Sequence, residues 1–523
     1  MKKQYILTTK NYSDIFVLKQ NNIKKGDVMG KSIKRIISLV LVICLVFSIG
    51  ATGVNAQAET VQQALQTLEK DVPIIEIQGF GDPIYRGIST ETEDDDIDIW
   101  TANIDAILGL VKKHLFNLIF SLIFKNTDKL NVILTDVMVT LFGAIACDEG
   151  GNPAPDTGMQ DKSTAYPKPE YGQRNSYRFH YDWRLDAHTL STQLREYVEA
   201  VMQATGSDKV AFVSFSMGGS ILMTYLYEYY YLATPEEREH VHSAVFMCGA
   251  MNGVACCEDP FAGKLLLESD TLLYALGELM SGNETLSGLH KVLVVLDKIR
   301  LFDPLINYVN NYIVKNFNAL AGDGLIQSMG TLPGFFVMMS YDGYYDAENF
   351  IFDTPEEKQK YAELIAKNRY YHENVQLNSD NIINVLLEDG KNMAVISEYG
   401  YSMIPVTSDS SRMSDGTITT AASSFGASCA PLGSTFNENY VQAKECTCGK
   451  NHISPDRMID ASTCKYADIT WFAKNLRHDS SDRYFADLID LVTYSDEQVT
   501  VWTYEEYPQF MVSFENEYLV PLK

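Results

Sequence analysis

Ser216 stands in the stretch KVAFVSFSMGGSILMTYL (209–226), where an apolar strand pattern breaks off and an apolar helix pattern begins. A serine hydroxyl is a poor nucleophile until a base takes its proton. To attack an ester it must project above a sheet and stand at a helix N-terminus. A tight strand–turn–helix does both, provided the residues two before and two after the serine are small. Here they are Ser214 and Gly218, with serine in place of the usual first glycine. The amide of Met217 would point at a developing oxyanion. The bland alternative is a serine that merely caps the helix, and S-x-S-x-G alone leaves it open. The apolar strand before Ser216 and the apolar helix after it supply the context the motif requires.

A second oxyanion donor should come from the loop after an earlier strand. IQGFGD (77–82) fits: Gly79 lets the backbone turn, and the amide of Phe80 could face the same oxygen. Taken alone, it is an ordinary glycine turn. The acid and then the base should follow the serine along the chain. The histidines after Ser216 are His240, His242, His290, His372, His452 and His478. The first two flank a strand start, and the next two lie in a long insert. His452 sits in a cysteine-rich loop with no strand before it. His478 follows the apolar run ITWFAKNL, and a loop at a strand's C-terminal end is where a sheet enzyme holds its base. It is the predicted base. The acid candidate is Asp415, in the Asp-Gly-Thr turn of SRMSDGTITTAAS (411–423), with Asp409 as a nearby rival. Its role would be to orient the imidazole and stabilise its charged form; the alternative is a plain Asp-Gly turn.

These residues need a scaffold. VPIIEIQGFGD (72–82), SYRFHYDW (176–183), residues 209–214, HSAVFMCGA (242–250), NMAVISEYG (392–400) and ADITWFAKNL (467–476) read as strands. LSTQLREYVEAVMQAT (190–205), the segment after Gly218 and RYFADLIDLV (483–492) read as helices. Alternation of this kind predicts an α/β protein with a mostly parallel sheet covered on both faces. Two long inserts interrupt it, at 83–175 and about 252–390. The first contains LFNLIFSLIF (115–124), too short to span a bilayer and read as a buried helix. The second is mainly helical in pattern, as a lid or substrate-binding cap would be. The expected organisation is a leader at 1–56, a first part of the core at 57–251, the cap at 252–390 and a second part of the core at 391–523.

The 523-residue chain carries a net charge of −26, which disfavours nucleic acid as a partner. From Met29, a basic start, an apolar run over Ile36–Ile49 and small residues Val54 and Ala56 form a secretory signal pattern. The 28 residues before it show no periodicity, so translation is expected to start at Met29. Without residues 1–56 the chain keeps 33 basic and 66 acidic residues, a net of −33. The expected location is secreted or at the cell surface, with anchoring if the leader stays uncut.

YDWRLD (181–186), SFSMGG (214–219), SEYGYSMIPVT (397–407) and SDGTI (414–418) follow the order seen in the lecithin:cholesterol acyltransferase and lysosomal phospholipase-like family. The chain resembles that family from about residue 72 to 493. The resemblance implies an α/β-hydrolase fold and cleavage or transfer of lipid acyl chains. It maps the nucleophile to Ser216, the acid to Asp415 and the base to His478. Phe215 stands where the family has histidine, and Gln78 where it has proline. Asp182 and Arg184 read as a structural ion pair.

CTCGKNHISPDRMIDASTC (446–464) brings together Cys446, Cys448, His452 and Cys464. Four such ligands can hold zinc, but the spacing is not a standard one. A loop-pinning disulfide such as Cys448–Cys464 is the preferred expectation for an exported chain, with no metal assigned. Cys248 reads as a buried thiol.

The sequence thus predicts an exported bacterial serine esterase or lipid O-acyltransferase that works through an acyl-enzyme and needs no cofactor. Its substrate would be a lipid or other acyl ester, with peripheral membrane contact an open option. Two other readings stand beside it: a surface binding protein on a degenerate hydrolase scaffold, and a triad hydrolase of peptides or amides.

Overall fold

Strands buried on both faces of a sheet must be apolar almost throughout, and runs of that kind build the centre of this molecule. The computed structural model describes residues 59–523 apart from 88–96, 101–112, 160–174, 275–290, 319–327 and shorter stretches within 115–123, 270, 292–302, 404–411, 447, 479–483 and 515–517. The expected leader and signal segment at 1–56 therefore lies outside the described residues, as does most of the apolar stretch 115–124.

The main sheet has eight strands: β1 (Ile74–Ile77), β2 (Ser176–Phe179), β3 (Val210–Phe215), β4 (Val241–Met247), β5 (Asn392–Tyr399), β6 (Thr470–Lys474), β7 (Phe510–Phe514) and β8 (Tyr518–Pro521). Their spatial order is β8-β7-β6-β5-β4-β3-β1-β2. All neighbours are parallel except β7 and β8. All eight residues of β5, the middle strand, are buried. The register aligns Ile77 with Ser214, Phe215 with Met247, and Met247 with Ile396. The C-terminal ends of these strands therefore form one common edge, where the loops carrying chemistry emerge.

The crossovers are helical. Helix α1 (Ala187–Thr205) starts at Asp186, whose side chain accepts from the amide of Thr189 at 2.9 Å, and stops at Gly206, with φ 74°. Helix α2 (Met217–Leu226) follows β3 without a spacer, α3 (Ser379–Glu388) leads into β5, and α4 (Ala486–Tyr494) follows β6. Alternate residues of β3 meet opposite layers. Phe212 packs on Tyr225 of α2, with ring centroids 5.1 Å apart. Ala211 and Val213 cluster instead with Tyr494 of α4. A period of two along the strand thus puts helices on both faces.

Within the first insert, Ile84–Arg86, Ile97–Trp100 and Thr157–Gly158 pair as a small antiparallel sheet, and Thr127–Phe142 is a helix. The described part of the second insert is helical, as its pattern suggests. From Leu332 to Leu386 it contributes Phe336, Tyr344, Leu364, Tyr371 and Ile382 to the same apolar core as the sheet. No helix of the described residues is long and apolar enough to cross a membrane.

Candidate active site

The opening of the site is the junction of β3 and α2. Ser216 holds φ 54° and ψ −123°, a conformation that a residue with a side chain adopts only at a cost of about 1–3 kcal/mol. Its neighbours show what keeps the turn in place. The Ser216 amide donates to the Met247 carbonyl at 3.1 Å, and its carbonyl accepts from Gly219 at 3.0 Å and Ala250 at 2.9 Å. A Cβ on Gly218 would lie 2.2 Å from the carbonyl oxygen of Ile77 and 2.6 Å from that of Gln78. Only glycine lets α2 approach the end of β1 this closely. At the position of the usual first glycine, the Ser214 hydroxyl donates to the Val245 carbonyl of β4 at 3.2 Å. Its side chain is absorbed by the neighbouring strand, so the turn forms without that glycine.

Three side chains from three distant loops meet here. The Ser216 Oγ lies 2.8 Å from Nε2 of His478, and Nδ1 of the same ring lies 2.8 Å from Oδ2 of Asp415. Asp415 is buried, and its other carboxylate oxygen accepts from the amides of Thr417 at 2.8 Å and Ile418 at 2.7 Å. Gly416, at φ 100°, lets the chain close this turn. The His478 amide donates to the Asp415 carbonyl at 3.1 Å, so backbone as well as side chain couples the two loops. A carboxylate fixed by two amides can accept only from the Nδ1–H of the ring. That leaves the Nε2 lone pair for the serine proton. The ring of Phe215 packs against His478, with centroids 4.8 Å apart. The rival acid Asp409 lies outside the described residues.

The loop after β1 comes up against the serine. A Cβ on Gly79 would stand 2.8 Å from Cβ and 3.3 Å from Oγ of Ser216, which brings Phe80, the next residue, to the nucleophile. Met217, the first residue of α2, has no acceptor for its amide within the helix. The side chain of Phe80 sits among Trp183, Phe335 and Trp100, with centroids 4.3, 5.3 and 5.6 Å away.

The Tyr-Asp-Trp-Arg stretch holds this loop, a role its sequence did not disclose. The Tyr181 hydroxyl donates to the Gln78 carbonyl at 2.6 Å, and the Trp183 indole to the Asp82 carbonyl at 2.9 Å. Arg184, fully buried, pairs in a two-pronged contact with Asp182 at 2.9 and 2.6 Å and reaches the Thr157 hydroxyl at 3.1 Å. The ion pair fastens the small sheet, through Thr157, to the stretch that carries Tyr181 and Trp183. Gly334 is equally constrained: a Cβ there would fall 1.6 Å from the Trp183 carbonyl. A glycine and two ring donors distant in sequence give no local signal of a shared loop.

The remaining candidates lie elsewhere. His240 bonds the Asp208 carbonyl, His242 the Thr493 carbonyl, and His372 is buried between Gln376 and the Phe336 carbonyl. His290 is outside the described residues. The thiol of Cys248 shares the neighbourhood of Asp415 and His478, but burial and the nearby Glu398 push it well above the usual thiol range, so it packs as a neutral group. The expected Cys448–Cys464 disulfide is not formed: both are free thiols. Cys464 is buried in a cluster with Tyr399, Met458 and Ile459, whereas Cys448 contacts His452 at 3.2 Å. Spacing could not reveal this, because the chain between the two cysteines doubles back through a β-bridge between Ile453 and Asp460.

A family model described as alpha/beta hydrolase fold matches residues 154–274, the segment that carries β3, Ser216 and α2. No curated protein matches the chain. Solved structures similar to it include two of low sequence identity. One is the Tle4–Tli4 complex, at 12% identity over 62% of this chain and 75% of that chain, with a TM-score of 0.22. The other is Kex1(Δ)p, a prohormone-processing carboxypeptidase from Saccharomyces cerevisiae, at 10% identity over 63% and 65%, with a TM-score of 0.19. With seven parallel strands and Ser216 at the sharp turn between β3 and α2, the chain has the α/β-hydrolase fold.

Proposed function

We propose that this chain is an exported serine esterase that cleaves or transfers acyl groups of lipid esters. The observation that carries the reading is the continuous hydrogen-bond path Ser216–His478–Asp415, with both links at 2.8 Å. His478 Nε2 takes the Ser216 proton as Oγ attacks the ester carbonyl. Asp415 stabilises the resulting imidazolium. The amides of Met217 and Phe80 receive the oxyanion, a contribution typically worth 10²–10³ in rate per donor. The imidazolium then gives its proton to the leaving alkoxide, and an acyl-enzyme remains. Water or an alcohol, deprotonated at the same nitrogen, releases the acyl group and regenerates Ser216.

Lipid acyl chains suit the wall beside the nucleophile, where the partly exposed rings of Phe80, Trp100 and Phe215 surround the serine loop, backed by the buried Trp183 and Phe335. The motifs shared with the lecithin:cholesterol acyltransferase-like family point the same way. Export rests on the signal pattern after Met29. The purified chain is expected to react with a fluorophosphonate at Ser216, to lose that reaction in Ser216→Ala, and to release free fatty acid from mixed phospholipid vesicles. An added alcohol would divert part of the product to a new ester if acyl transfer operates. Labelling without release of fatty acid, but with hydrolysis of peptides or anilides, would overturn the lipid assignment. A folded protein that takes up no label would overturn the enzyme.

A further inference from the structure

A second group of reactive side chains lies away from the triad. Cys446, Cys448, His452 and Asp468 bring four ligand atoms within 4.8 Å of one another. Nε2 of His452 lies 3.2 Å from the Cys448 sulfur and 3.7 Å from Oδ1 of Asp468, and the Cys446 sulfur lies 3.9 Å from Oδ2 of Asp468. A tetrahedron with Zn–S bonds of about 2.3 Å and Zn–N or Zn–O bonds of about 2.0 Å separates its ligand atoms by roughly 3.3–3.8 Å. These three separations span that range.

The surroundings orient these atoms. Nδ1 of the fully buried His452 meets Oε1 of Gln509 at 2.7 Å. The Gln509 amide nitrogen donates to the Ala467 and Thr470 carbonyls, so its oxygen must be the acceptor facing the ring. The proton therefore sits on Nδ1, and the Nε2 lone pair faces the sulfurs, as a metal-binding histidine requires. The amide of Cys448 donates to the Cys446 sulfur and that of Lys450 to the Cys448 sulfur, each at 3.3 Å, which holds the two sulfurs in place. The Trp502 indole donates to Asp468 at 2.8 Å and fixes the carboxylate.

We infer that Cys446, Cys448, His452 and Asp468 form a structural zinc site. Asp468 takes the place that spacing had offered to Cys464. Binding of Zn²⁺ displaces the two thiol protons to solvent and forms two Zn–S bonds, with no change of oxidation state. The four side chains complete a closed coordination shell, which is the structural type. Asp468 lies in the turn Ala467–Ile469 that opens β6, and Gln509 directly precedes β7. The metal thus pins the loop at 446–452 to the N-terminal ends of two strands, at the opposite end of β6 from His478. Its effect should appear in stability and not in the chemistry at Ser216. This inference is independent of the esterase reading.

The full chain, purified under reducing conditions without chelator, should contain about one zinc per molecule by plasma mass spectrometry. Replacement by Co²⁺ should give thiolate-to-cobalt charge-transfer bands and the visible bands of a tetrahedral site. Cys464→Ser should keep the metal, and Cys446→Ser should lose it. Should Cys446→Ser not fold, chelation of the unaltered protein replaces it: removal of zinc should lower the melting temperature, and re-addition should restore it. Failure of the reduced protein to take up either Zn²⁺ or Co²⁺ would overturn the site. So would a Cys446–Cys448 disulfide in protein alkylated at harvest, or loss of metal in Cys464→Ser with the fold intact.

Discussion

Gly218→Ala adds one methyl group to the centre of the serine turn, and the structure gives the size of the insult. The new Cβ would sit 2.2 Å from the Ile77 oxygen and 2.6 Å from the Gln78 oxygen, against the 3.0 Å below which real Cβ contacts essentially do not occur. Both obstacles are backbone atoms. The Ile77 carbonyl must therefore retreat by about 0.8 Å, or α2 must tilt by a similar amount. Retreat is resisted because β1 is paired on both sides and the Gln78 carbonyl is held by Tyr181. Overpacking of this kind costs about 1–3 kcal/mol of stability, less than the roughly 5–15 kcal/mol that holds a typical folded domain. Activity should suffer more. A misplacement near 1 Å of a catalytic group costs about 10²-fold, and loss of one oxyanion donor about 10²–10³-fold. The expected result is a folded protein whose hydrolysis of a short p-nitrophenyl ester has fallen by about 10²–10³ in kcat, with a much smaller change in KM. Fluorophosphonate labelling of Ser216 should slow in parallel, because its transition state also builds charge on an oxygen. A folded Gly218→Ala protein with wild-type turnover would refute the reasoning, since it would mean that the loop after β1 contributes nothing to the reacting oxygen.

Asp415→Asn keeps the shape of the turn but offers an amide to the imidazole and favours the wrong tautomer; ester hydrolysis should fall by about 10⁴ with little change in melting temperature. Arg184→Met leaves the Asp182 carboxylate without its charged partner and removes the bond to Thr157, and denaturant titration should show a loss of about 3–5 kcal/mol. Burial, only partly offset by the bonds to Gln376 and the Phe336 carbonyl, lowers His372 to about 4. Its unfolded value is about 6.5, so the neutral ring's contribution is complete above pH 6.5 and is lost as the pH falls towards 4, on the order of 3 kcal/mol in all. Stability curves measured at pH 7 and pH 4 should show this loss, and a His372→Gln variant should lose less over the same interval.

How much of this was legible in the sequence follows from the range of the interactions involved. Strand and helix character depends on neighbours along the chain, so the runs that became β1 to β6 and helices α1, α2 and α4 stand close to where periodicity puts them. The order serine, acid, base is a consequence of sheet topology, and the Asp-Gly-Thr turn and the run before His478 are local signs of strand ends. Ser214 departs from the usual glycine pattern, and only the adjacent strand shows why it is tolerated: its hydroxyl has the Val245 carbonyl to bond.

Residue types and local periodicity therefore determined the layered architecture, the position of the serine turn and the candidates for each chemical role. Tertiary structure decided which candidates touch. It brought residues 216, 415 and 478 into one hydrogen-bonded line, set Tyr181 and Trp183 under the loop after β1, and exchanged Cys464 for Asp468 in the cysteine cluster. The physical reason is that a backbone pattern repeats over a few residues, whereas a site is closed by groups tens to hundreds of residues apart, whose meeting depends on how every intervening strand and loop is packed.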